Sequence, residues 1–229
     1  MRKITINLAA VAAFCIVVAS PALVSSSCAT PKTEQEDTTI IREDSGITAL
    51  KYSSPEVPAS IEFCGKTIDL SRFDRHERMD RELLAFTYMH STSLQMLKKA
   101  NRYFPIVEPI LKENGIPDDF KYLMVIESNM NPTARSSAGA AGLWQFMQGT
   151  GRDYGLEVNN NVDERYHIEK ATRAACRYLK DAYAKYKDWV AVAASYNAGQ
   201  ARIASQLAKQ DVDDSLDLQL VEETARYVY

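Results

Sequence analysis

The pattern of apolar and polar positions predicts helices over most of the chain beyond residue 70. Residues 61–70 alternate enough to predict a short strand or extended arm, with a turn at Gly65-Lys66. A helical pattern begins at Asp74, where apolar residues recur every three or four positions. The apolar face of this first helix comprises Met79, Leu83, Phe86 and Met89.

Residues 91–114 are predicted as helical, with an interruption near Pro105. Proline has no backbone N–H and clashes with the preceding turn, so it disfavours a continuous helix at that point. The apolar positions of this segment are Phe104, Val107, Ile110 and Leu111. Gly115-Ile116-Pro117 then predicts a stop.

The next predicted helix ends its apolar face on a carboxyl group. It starts at Asp118 and Asp119, whose side chains are placed to satisfy the first free N–H groups and to oppose the helix dipole. Its apolar face follows the spacing i, i+3, i+4 and i+7 and comprises Phe120, Leu123, Met124 and Glu127. A carboxyl group at Glu127 loses hydration, which raises its pKa and favours the protonated state that a general acid needs. The alternatives are a glutamate with a buried partner and a helix end that is rotated outward.

Two further stretches have the composition of a sugar-binding site. Asn131-Pro132 predicts the end of the helix, and a loop of small residues follows over 136–142. The run Leu143-Trp144-Gln145-Phe146-Met147 then offers apolar walls and a polar anchor. The second stretch, Ser195-Tyr196-Asn197-Ala198-Gly199, lies further along the chain.

The last third of the chain predicts more helices around an apolar centre. A loop-rich stretch after Met147 reaches Asn161, and residues 163–167 introduce a long helix with a face of small and apolar residues. The segment from Trp189 to Ser195 is apolar nearly all round, which predicts burial in the centre of the domain. The remaining segments are predicted as helix, acidic solvated connector and helix over residues 200–207, 209–217 and 218–229.

Length and charge exclude few functions. A chain of 229 residues has room for one domain of ordinary size plus flanking segments, with a core that needs neither metal nor disulfide. The 27 Lys and Arg against 30 Asp and Glu give a net charge of −3, so no basic field for nucleic acid is predicted. The three histidines are scattered and no Cys and His cluster has metal-ligand spacing, so no metal or other cofactor is predicted.

The first residues have the pattern of an export signal. Arg2 and Lys3 precede an apolar run to Val18, and small residues follow. A membrane-spanning helix is the alternative, but the run is shorter than the roughly 20 apolar residues that a span requires. Cys28 follows small residues as in a lipoprotein processing site, so residues 1–28 are predicted as an export segment with Cys28 as the lipidation candidate. Ordinary signal cleavage is the alternative.

Residues 29–60 are polar and lack apolar periodicity, so they are predicted as a disordered tether. After export, Cys64 and Cys176 would lie in an oxidising compartment, where two thiols could pair. Cys176 belongs to an Ala-rich helical pattern, which favours a small buried hydrophobe instead.

Three motifs together resemble the catalytic domain of the lytic transglycosylases. They occur in the family's order and spacing and are Glu127-Ser128, Gly142-Leu143-Trp144-Gln145-Phe146-Met147 and Tyr196-Asn197-Ala198-Gly199. Additional motifs make the chain similar to the membrane-bound lytic murein transglycosylase D type, at residues 63–65, 77–83, 102–105 and 162–165. The resemblance covers Ile61 to Tyr229.

The resemblance implies a mainly α, lysozyme-like domain of the goose or SLT type with a substrate cleft. It implies that residues 61–114 are an extended arm and helices that pack on the catalytic domain. Residues 115–229 are then the catalytic domain, and the chain ends within the family's last motif at 223–228. Family members often carry LysM sugar-binding repeats beyond this region.

The family's chemistry implies an enzyme that cleaves the β-1,4 bond between N-acetylmuramic acid and N-acetylglucosamine in peptidoglycan. Glu127 would be the sole general acid and base, and 1,6-anhydromuramic acid ends would form. Tyr227 would hydrogen-bond Glu127, and the sugar would contact Ser136, Gln145, Met147, Tyr196 and Asn197. A retaining hydrolase uses two carboxylates, yet no Asp or Glu occurs between Glu127 and Asp153.

Two other functions stay open for the same residues. One is a hydrolytic lysozyme of the same fold, and the other is a non-catalytic protein that binds the cell wall. The predicted partners are peptidoglycan strands and, through a lipid on Cys28, a membrane. The predicted location is the periplasm or cell envelope, with an outer-membrane lipoprotein as one form.

Overall fold

The computed structural model describes residues 53–212 and 214–228. The predicted export segment 1–28, which includes Cys28, lies outside the described residues, as does most of the predicted tether 29–60. Among the described helices, none has the length and apolar character needed to cross a membrane.

The end of the predicted tether packs against the domain. The Ser53 N–H donates to the Tyr88 hydroxyl over 2.9 Å, and that hydroxyl donates to the Ser53 carbonyl oxygen over 2.6 Å. Val57 packs on the hydrophobic core. The chain is therefore attached to the domain from Ser53 on, ahead of the boundary predicted at residue 60.

A two-stranded hairpin confirms the extended segment, although its turn lies one residue earlier than predicted. Strand β1 is Ser60–Phe63 and β2 is Lys66–Asp69, paired antiparallel. The turn is formed by Cys64 and Gly65, whose φ angles are +52° and +80°. Two consecutive positive φ values give the tight turn that matches strand twist, and Lys66 already belongs to β2.

The rest of the described chain is mainly helical, as predicted. The α-helices are α1 Phe73–Tyr88, α2 Ser91–Glu113, α3 Leu123–Ser128, α4 Gln148–Asp153, α5 Ile168–Tyr186, α6 Trp189–Ala198, α7 Gln200–Gln210 and α8 Glu222–Ala225. Short 3₁₀ helices lie at Asp118–Tyr122, Glu164–Tyr166, Ser215–Asp217 and Arg226–Val228.

Helix α6 forms the centre of the domain, as its apolar sequence predicted. Every residue from Val190 to Ser195 is buried, and α5, α7 and α8 pack around it. On α5 the small-residue face is buried against α2 and α6, and it comprises Ala171, Ala174, Ala175, Leu179 and Ala182. Small side chains permit this close approach between helices, so α6 is tightly packed in the middle of the fold.

Cys176 lies on the same buried stretch of α5 and is a free thiol, so it does not pair with Cys64. Its Sγ lies 4.0 Å from the Ile110 carbonyl oxygen of α2. Burial raises the pKa of the Cys176 thiol to about 11. The interpretation of Cys176 as a small buried hydrophobe is confirmed.

The interruption predicted near Pro105 is wrong, because α2 continues through both Pro105 and Pro109. Both prolines lie on the exposed side of the helix, where water can satisfy the carbonyl groups that lose their N–H partners. The opposite side buries Tyr103, Val107, Ile110 and Leu111 in the core. Tertiary packing of this face therefore outweighs the local cost of the prolines.

Three other local predictions are corrected. Met89 is 42% exposed because α1 ends at Tyr88 and the apolar face ends with it. Residues 148–153 form α4, where a loop was expected, because Gly151 is buried against the Arg165 side chain and packing compensates for the two glycines. Residues 218–229 do not form one helix, since the described part is divided between α8 and a 3₁₀ turn.

The acidic connector at 209–217 is not simply solvated. Asp214 accepts from the Lys66 Nζ over 2.8 Å and lies 3.6 Å from a nitrogen of Arg75. Asp217 pairs with Arg72 over 2.6 Å and with Arg75 over 3.1 Å. These ion pairs join the connector to the hairpin and α1, and Asp213, which precedes Asp214, lies outside the described residues.

Candidate active site

Glu127 lies in the last turn of α3, where the apolar face of that helix predicted it. Phe120, Leu123 and Met124 are buried, and Glu127 is half-buried above them. Burial raises the pKa of the Glu127 carboxyl from 4.5 to about 7, although a hydrogen bond from Tyr227 lowers it and the nearby Glu223 raises it further. A carboxyl group with this pKa is protonated in a large fraction of molecules at neutral pH and can also release its proton, as a general acid requires.

Tyr227 is the hydrogen-bond donor to Glu127. Its hydroxyl donates to the Glu127 Oε1 over 2.7 Å across 100 residues of sequence. Burial and the adjacent Glu127 both raise the pKa of Tyr227, so the phenol stays neutral. With Oε1 accepting this bond, Oε2 is the carboxyl oxygen that is left to bind a proton.

The end of α3 connects Glu127 to the second motif. Asn129 and Met130 both adopt the left-handed conformation, with φ of +50° and +51°, so the helix ends before the predicted Asn131-Pro132 stop. The Ser128 Oγ lies 2.9 Å from the carbonyl oxygen of Leu143, and it is also 2.9 Å from that of Met124 in its own helix. The run that begins at Gly142 is therefore attached directly beside the glutamate.

The acidic start of this segment does not cap it as predicted. Asp119 accepts from the Cys64 N–H over 2.7 Å, and Asp118 accepts from the Lys121 Nζ over 2.5 Å. The first turn is a 3₁₀ helix without a side-chain cap. The two aspartates thus join the segment to the hairpin and to Lys121.

A buried arginine fixes the loop of small residues. One guanidinium nitrogen of Arg165 donates to the carbonyl oxygens of Gly139 and Phe146 over 2.8 and 3.0 Å, and Asp163 pairs with the other side. Gly142, with φ of +81°, packs so tightly that an added Cβ would lie 1.9 Å from the Arg165 carbonyl oxygen. The Ser136 Oγ accepts from the Ala140 N–H over 3.0 Å, which leaves its own proton available.

The run from Leu143 to Met147 divides into buried and exposed members. Trp144 is fully buried and its indole N–H donates to the Thr172 Oγ1 over 3.0 Å, so the expectation that it lines a sugar site is wrong. A large aromatic side chain and a loop position do not by themselves determine burial. The Gln145 Nε2 donates to the Gly142 carbonyl oxygen over 2.8 Å, which leaves its Oε1 free to accept, and Met147 is 45% exposed.

Tyr196 and Asn197 lie in the last turn of α6, at the end of the buried centre. The Tyr196 hydroxyl donates to the Trp144 carbonyl oxygen over 2.8 Å, and burial followed by the charge of Glu127 raises the pKa of this phenol well above its ordinary value. The Asn197 Oδ1 accepts from the Thr224 Oγ1 over 2.8 Å. The amide nitrogen of Asn197 is thereby turned away from Thr224.

The structure therefore brings four of the predicted site residues into one group, namely Glu127, Tyr196, Asn197 and Tyr227. The other three, Ser136, Gln145 and Met147, lie along the adjoining loop. That loop joins the group through the Ser128 contact with Leu143 and the Tyr196 contact with Trp144. Within residues 53–212, none of those three side chains forms a hydrogen bond with Glu127.

Sequence reasoning missed the residues that support this group. Thr224 is 2% exposed and orients Asn197, and Glu223 adds a second acidic charge near Glu127. Arg165 is 4% exposed and holds the loop. All three belong to stretches that resemble family motifs, but nothing in their local sequence indicates which distant residue each contacts.

A cavity of about 320 Å³ lies next to Tyr227. It runs between α1, α3 and the last described residues, and it combines apolar walls with acidic and basic side chains. The polar residues of its lining are Glu82, Asn129, Glu223, Arg226 and Tyr227.

Comparison with known proteins agrees with this geometry. Residues 105–217 match the family model of the transglycosylase SLT domain. The chain belongs to this family. It is 31% identical over 157 residues to membrane-bound lytic murein transglycosylase D of Escherichia coli strain K12, a region that covers 66% of this chain and 34% of that protein. It is also 33% identical over 95 residues to peptidoglycan transglycosylase gp16 of Escherichia phage T7, which covers 40% of this chain and 7% of that protein.

The match to the SLT domain confirms the predicted lysozyme-like fold. The chain spans about a third of the length of the K12 relative. The matched residues include Glu127, the loop to Met147 and the Tyr196-Asn197 pair. Helix α1, which lines the adjacent cavity, lies outside the matched region, and so do the site residues Glu223, Thr224 and Tyr227.

Proposed function

We propose that this protein is a peptidoglycan lytic transglycosylase in which Glu127 is the sole general acid and base. The observation that carries the proposal is a half-buried Glu127 with a pKa near 7, held by Tyr227 at the junction of three SLT motif stretches. A pKa close to the working pH suits a group that must first give a proton and then take one back.

The first step is cleavage of the β-1,4 bond between N-acetylmuramic acid and N-acetylglucosamine. The Glu127 Oε2 proton passes to the glycosidic oxygen, the bond to the muramic carbon 1 breaks, and the N-acetylglucosamine hydroxyl leaves. The developing positive charge at carbon 1 is stabilised by the ionised Glu127 and by the neighbouring 2-acetamido group of the substrate, as the family resemblance implies. No external co-reactant is needed.

The second step closes the ring. Ionised Glu127 accepts the proton of the muramic 6-hydroxyl while that oxygen bonds to carbon 1, which gives a 1,6-anhydro end and regenerates the acid. A positioned internal nucleophile can gain several kcal/mol over an encounter with water when its geometry is good. Water is neither consumed nor added in the overall reaction.

The atoms still available in the loop and on α6 suit the sugar's hydroxyl and amide groups. The Ser136 hydroxyl can donate and the Gln145 Oε1 can accept. The Asn197 side chain also hydrogen-bonds Tyr227, and its amide nitrogen has a second N–H that can donate to the sugar. Met147 supplies exposed apolar surface. Tyr196 stabilises the loop because its hydroxyl donates to the Trp144 carbonyl oxygen. We assign the sugar contacts to these groups.

Hydrolysis is the second candidate, because Glu223 brings a second carboxyl group near Glu127. A pair of carboxyl groups is what a hydrolase uses to activate water or to form a covalent intermediate. The two reactions leave different ends, since hydrolysis adds one solvent oxygen at the muramic carbon 1.

The test is digestion of purified peptidoglycan by the full chain in water enriched in oxygen-18, with products analysed by mass. We expect ends that lack the label and are lighter by one water than lysozyme products. Glu127→Gln should reduce turnover by on the order of 100-fold or more, and Glu223→Gln should leave the product unchanged. Labelled reducing ends would establish the hydrolase, and turnover by Glu127→Gln close to the unaltered chain would remove Glu127 from its role.

The location also belongs to the proposal. We infer export to the periplasm or cell envelope and lipidation at Cys28, with peptidoglycan strands as the partner of the domain. The amino-terminal pattern supports this, as does the relative whose name describes a membrane-bound enzyme.

A further inference from the structure

The last described residues supply two contacts of the site although they have little structure of their own. Residues 222–228, called here the C-terminal segment, consist of the four-residue α8 and one 3₁₀ turn. From this segment Tyr227 reaches Glu127, and Thr224 reaches Asn197. Helical turns this short are not stable alone, so contacts with the rest of the domain must hold them in place.

Two ion pairs attach the C-terminal segment to α1. The guanidinium of Arg226 donates to both carboxylate oxygens of Glu82 over 2.7 Å each, the two-point geometry that fixes orientation as well as distance. Arg81 pairs with Glu222 over 2.5 Å. Arg81 and Glu82 are adjacent on α1 and carry opposite charges, and each pairs with a residue of the other sign on the segment. The two pairs form together in one alignment of the segment against α1.

The Glu82 pair is the better placed of the two. The Glu82 side chain is 16% exposed, so its charge is partly desolvated, whereas the Arg81 and Glu222 side chains are 49% and 61% exposed. Glu82 also accepts from its neighbour Arg81 over 3.3 Å, but that contact lies within α1 and does not reach the C-terminal segment. Arg226 directly precedes Tyr227 in the chain. Both line the same cavity beside α3, so a displacement of Arg226 would move the Tyr227 hydroxyl with it.

We propose that the Glu82–Arg226 ion pair holds the C-terminal segment against α1 and thereby positions the Tyr227 hydroxyl on Glu127, which makes Glu82 and Arg226 positioning residues for the general acid. The proposal rests on the function proposed for Glu127. It also gives a role to Arg81 and Glu82 of the 77–83 motif, and this role depends on helix α1, outside the region that the family model matches.

A spectroscopic test follows the contact without requiring turnover. 3-Fluorotyrosine is placed at position 227 of the full chain, and its fluorine resonance is recorded from pH 5 to pH 8. The titratable groups that face Glu127 are Tyr227 and Glu223 from the C-terminal segment and Tyr196 from α6. The pH-dependent change of the fluorine resonance that disappears in Glu127→Gln therefore comes from the titration of Glu127.

We expect that change to occur near pH 7 in the unaltered chain and to be lost in both Arg226→Gln and Glu82→Gln. Arg226→Lys, which keeps the charge without the two-point geometry, should restore some of it and guards against a Gln variant that fails to fold. Arg173→Gln is the matched control, because it breaks an ion pair with Glu113 whose arginine is 47% exposed, against 48% for Arg226.

Turnover provides the second measurement. Arg226→Gln should lower kcat about tenfold in the unaltered chain and have little further effect when Tyr227→Phe is already present, since both changes act through one contact. An undiminished fluorine response to Glu127 in folded Arg226→Gln would overturn the proposal, and so would equal losses of kcat in both backgrounds. Absence of turnover by the unaltered chain would refute the proposed function instead and would leave the fluorine result decisive for the ion pair.

Discussion

Replacing Glu127 with glutamine should stabilise the protein at pH 8 and have no such effect at pH 4. The reason is that an ionised carboxylate in this half-buried position is poorly hydrated, which costs free energy. The pKa of Glu127 is raised from 4.5 to about 7, mainly by burial. A group whose pKa rises on folding binds more protons in the folded than in the unfolded chain between these two pH values, so stability falls as pH rises through that window.

The magnitude follows from the two pKa values. Each pH unit corresponds to about 1.4 kcal/mol, so the rise from 4.5 to about 7 costs the unaltered protein about 3 kcal/mol of free energy of unfolding above pH 7. Below pH 4.5 the carboxyl is protonated in both states and the cost vanishes. Glutamine keeps the shape and can accept the Tyr227 bond at its carbonyl oxygen, but it has no charge to desolvate.

The assay is urea denaturation of the unaltered chain and of Glu127→Gln at pH 4 and pH 8. The quantity of interest is the difference in free energy of unfolding between the two proteins at pH 8, minus the same difference at pH 4. Any pH-independent effect of the amide cancels in that subtraction, and the other ionisable groups are common to both proteins. Glu56→Gln, on an exposed side chain, controls for the removal of one negative charge.

We expect the subtraction to give about 3 kcal/mol in favour of Glu127→Gln. A difference below about 0.5 kcal/mol, within the error of the extrapolation, would refute the argument that burial raises the pKa of Glu127. It would also remove the physical basis for a protonated acid at neutral pH. If Glu127→Gln gains stability and loses turnover, the ionisable glutamate serves function at a cost in folding stability.

Two further predictions concern the loop and the amino terminus. Gly142→Ala should lower the free energy of unfolding by about 3 kcal/mol or more, because its Cβ would meet backbone at 1.9 Å, whereas Gly139→Ala, with φ of +90° and open space around it, should cost only about 1 to 2 kcal/mol by the same denaturation assay. Cys28→Ala should release the protein from membranes upon fractionation. A native protein that is already soluble, with no lipid mass on its mature terminus, would contradict the anchor.

The parts of the fold that the sequence could predict are those controlled by residues close together in the chain. The spacing of Phe120, Leu123 and Met124 was sufficient to place Glu127 at the edge of the core. The apolar sequence of α6 was sufficient to place it in the centre. In both cases one periodic pattern decides which side of a helix is buried, and no distant partner is needed.

Local rules failed where a distant contact decides the outcome. Pro105 was expected to interrupt α2, but the opposite face of the helix packs into the core and keeps it continuous. Trp144 was expected to face a ligand, but Thr172, 28 residues away, accepts its N–H in the interior. The turn at Cys64 required a positive φ at a cysteine, which is uncommon and is not indicated by residue type.

Glu127, the proposed general acid, illustrates the same division. Its position is local, but its protonation depends on Tyr227 and Glu223, about 100 residues later in the chain. The region from 105 to 217 contains Glu127 without either of them. Since the hydrogen bond and the neighbouring charge shift the pKa in opposite directions, the C-terminal segment adjusts the acid rather than creating it. Burial accounts for most of the rise in the pKa of Glu127, and the contacts with the C-terminal segment, which we propose is held in place by α1, adjust that pKa.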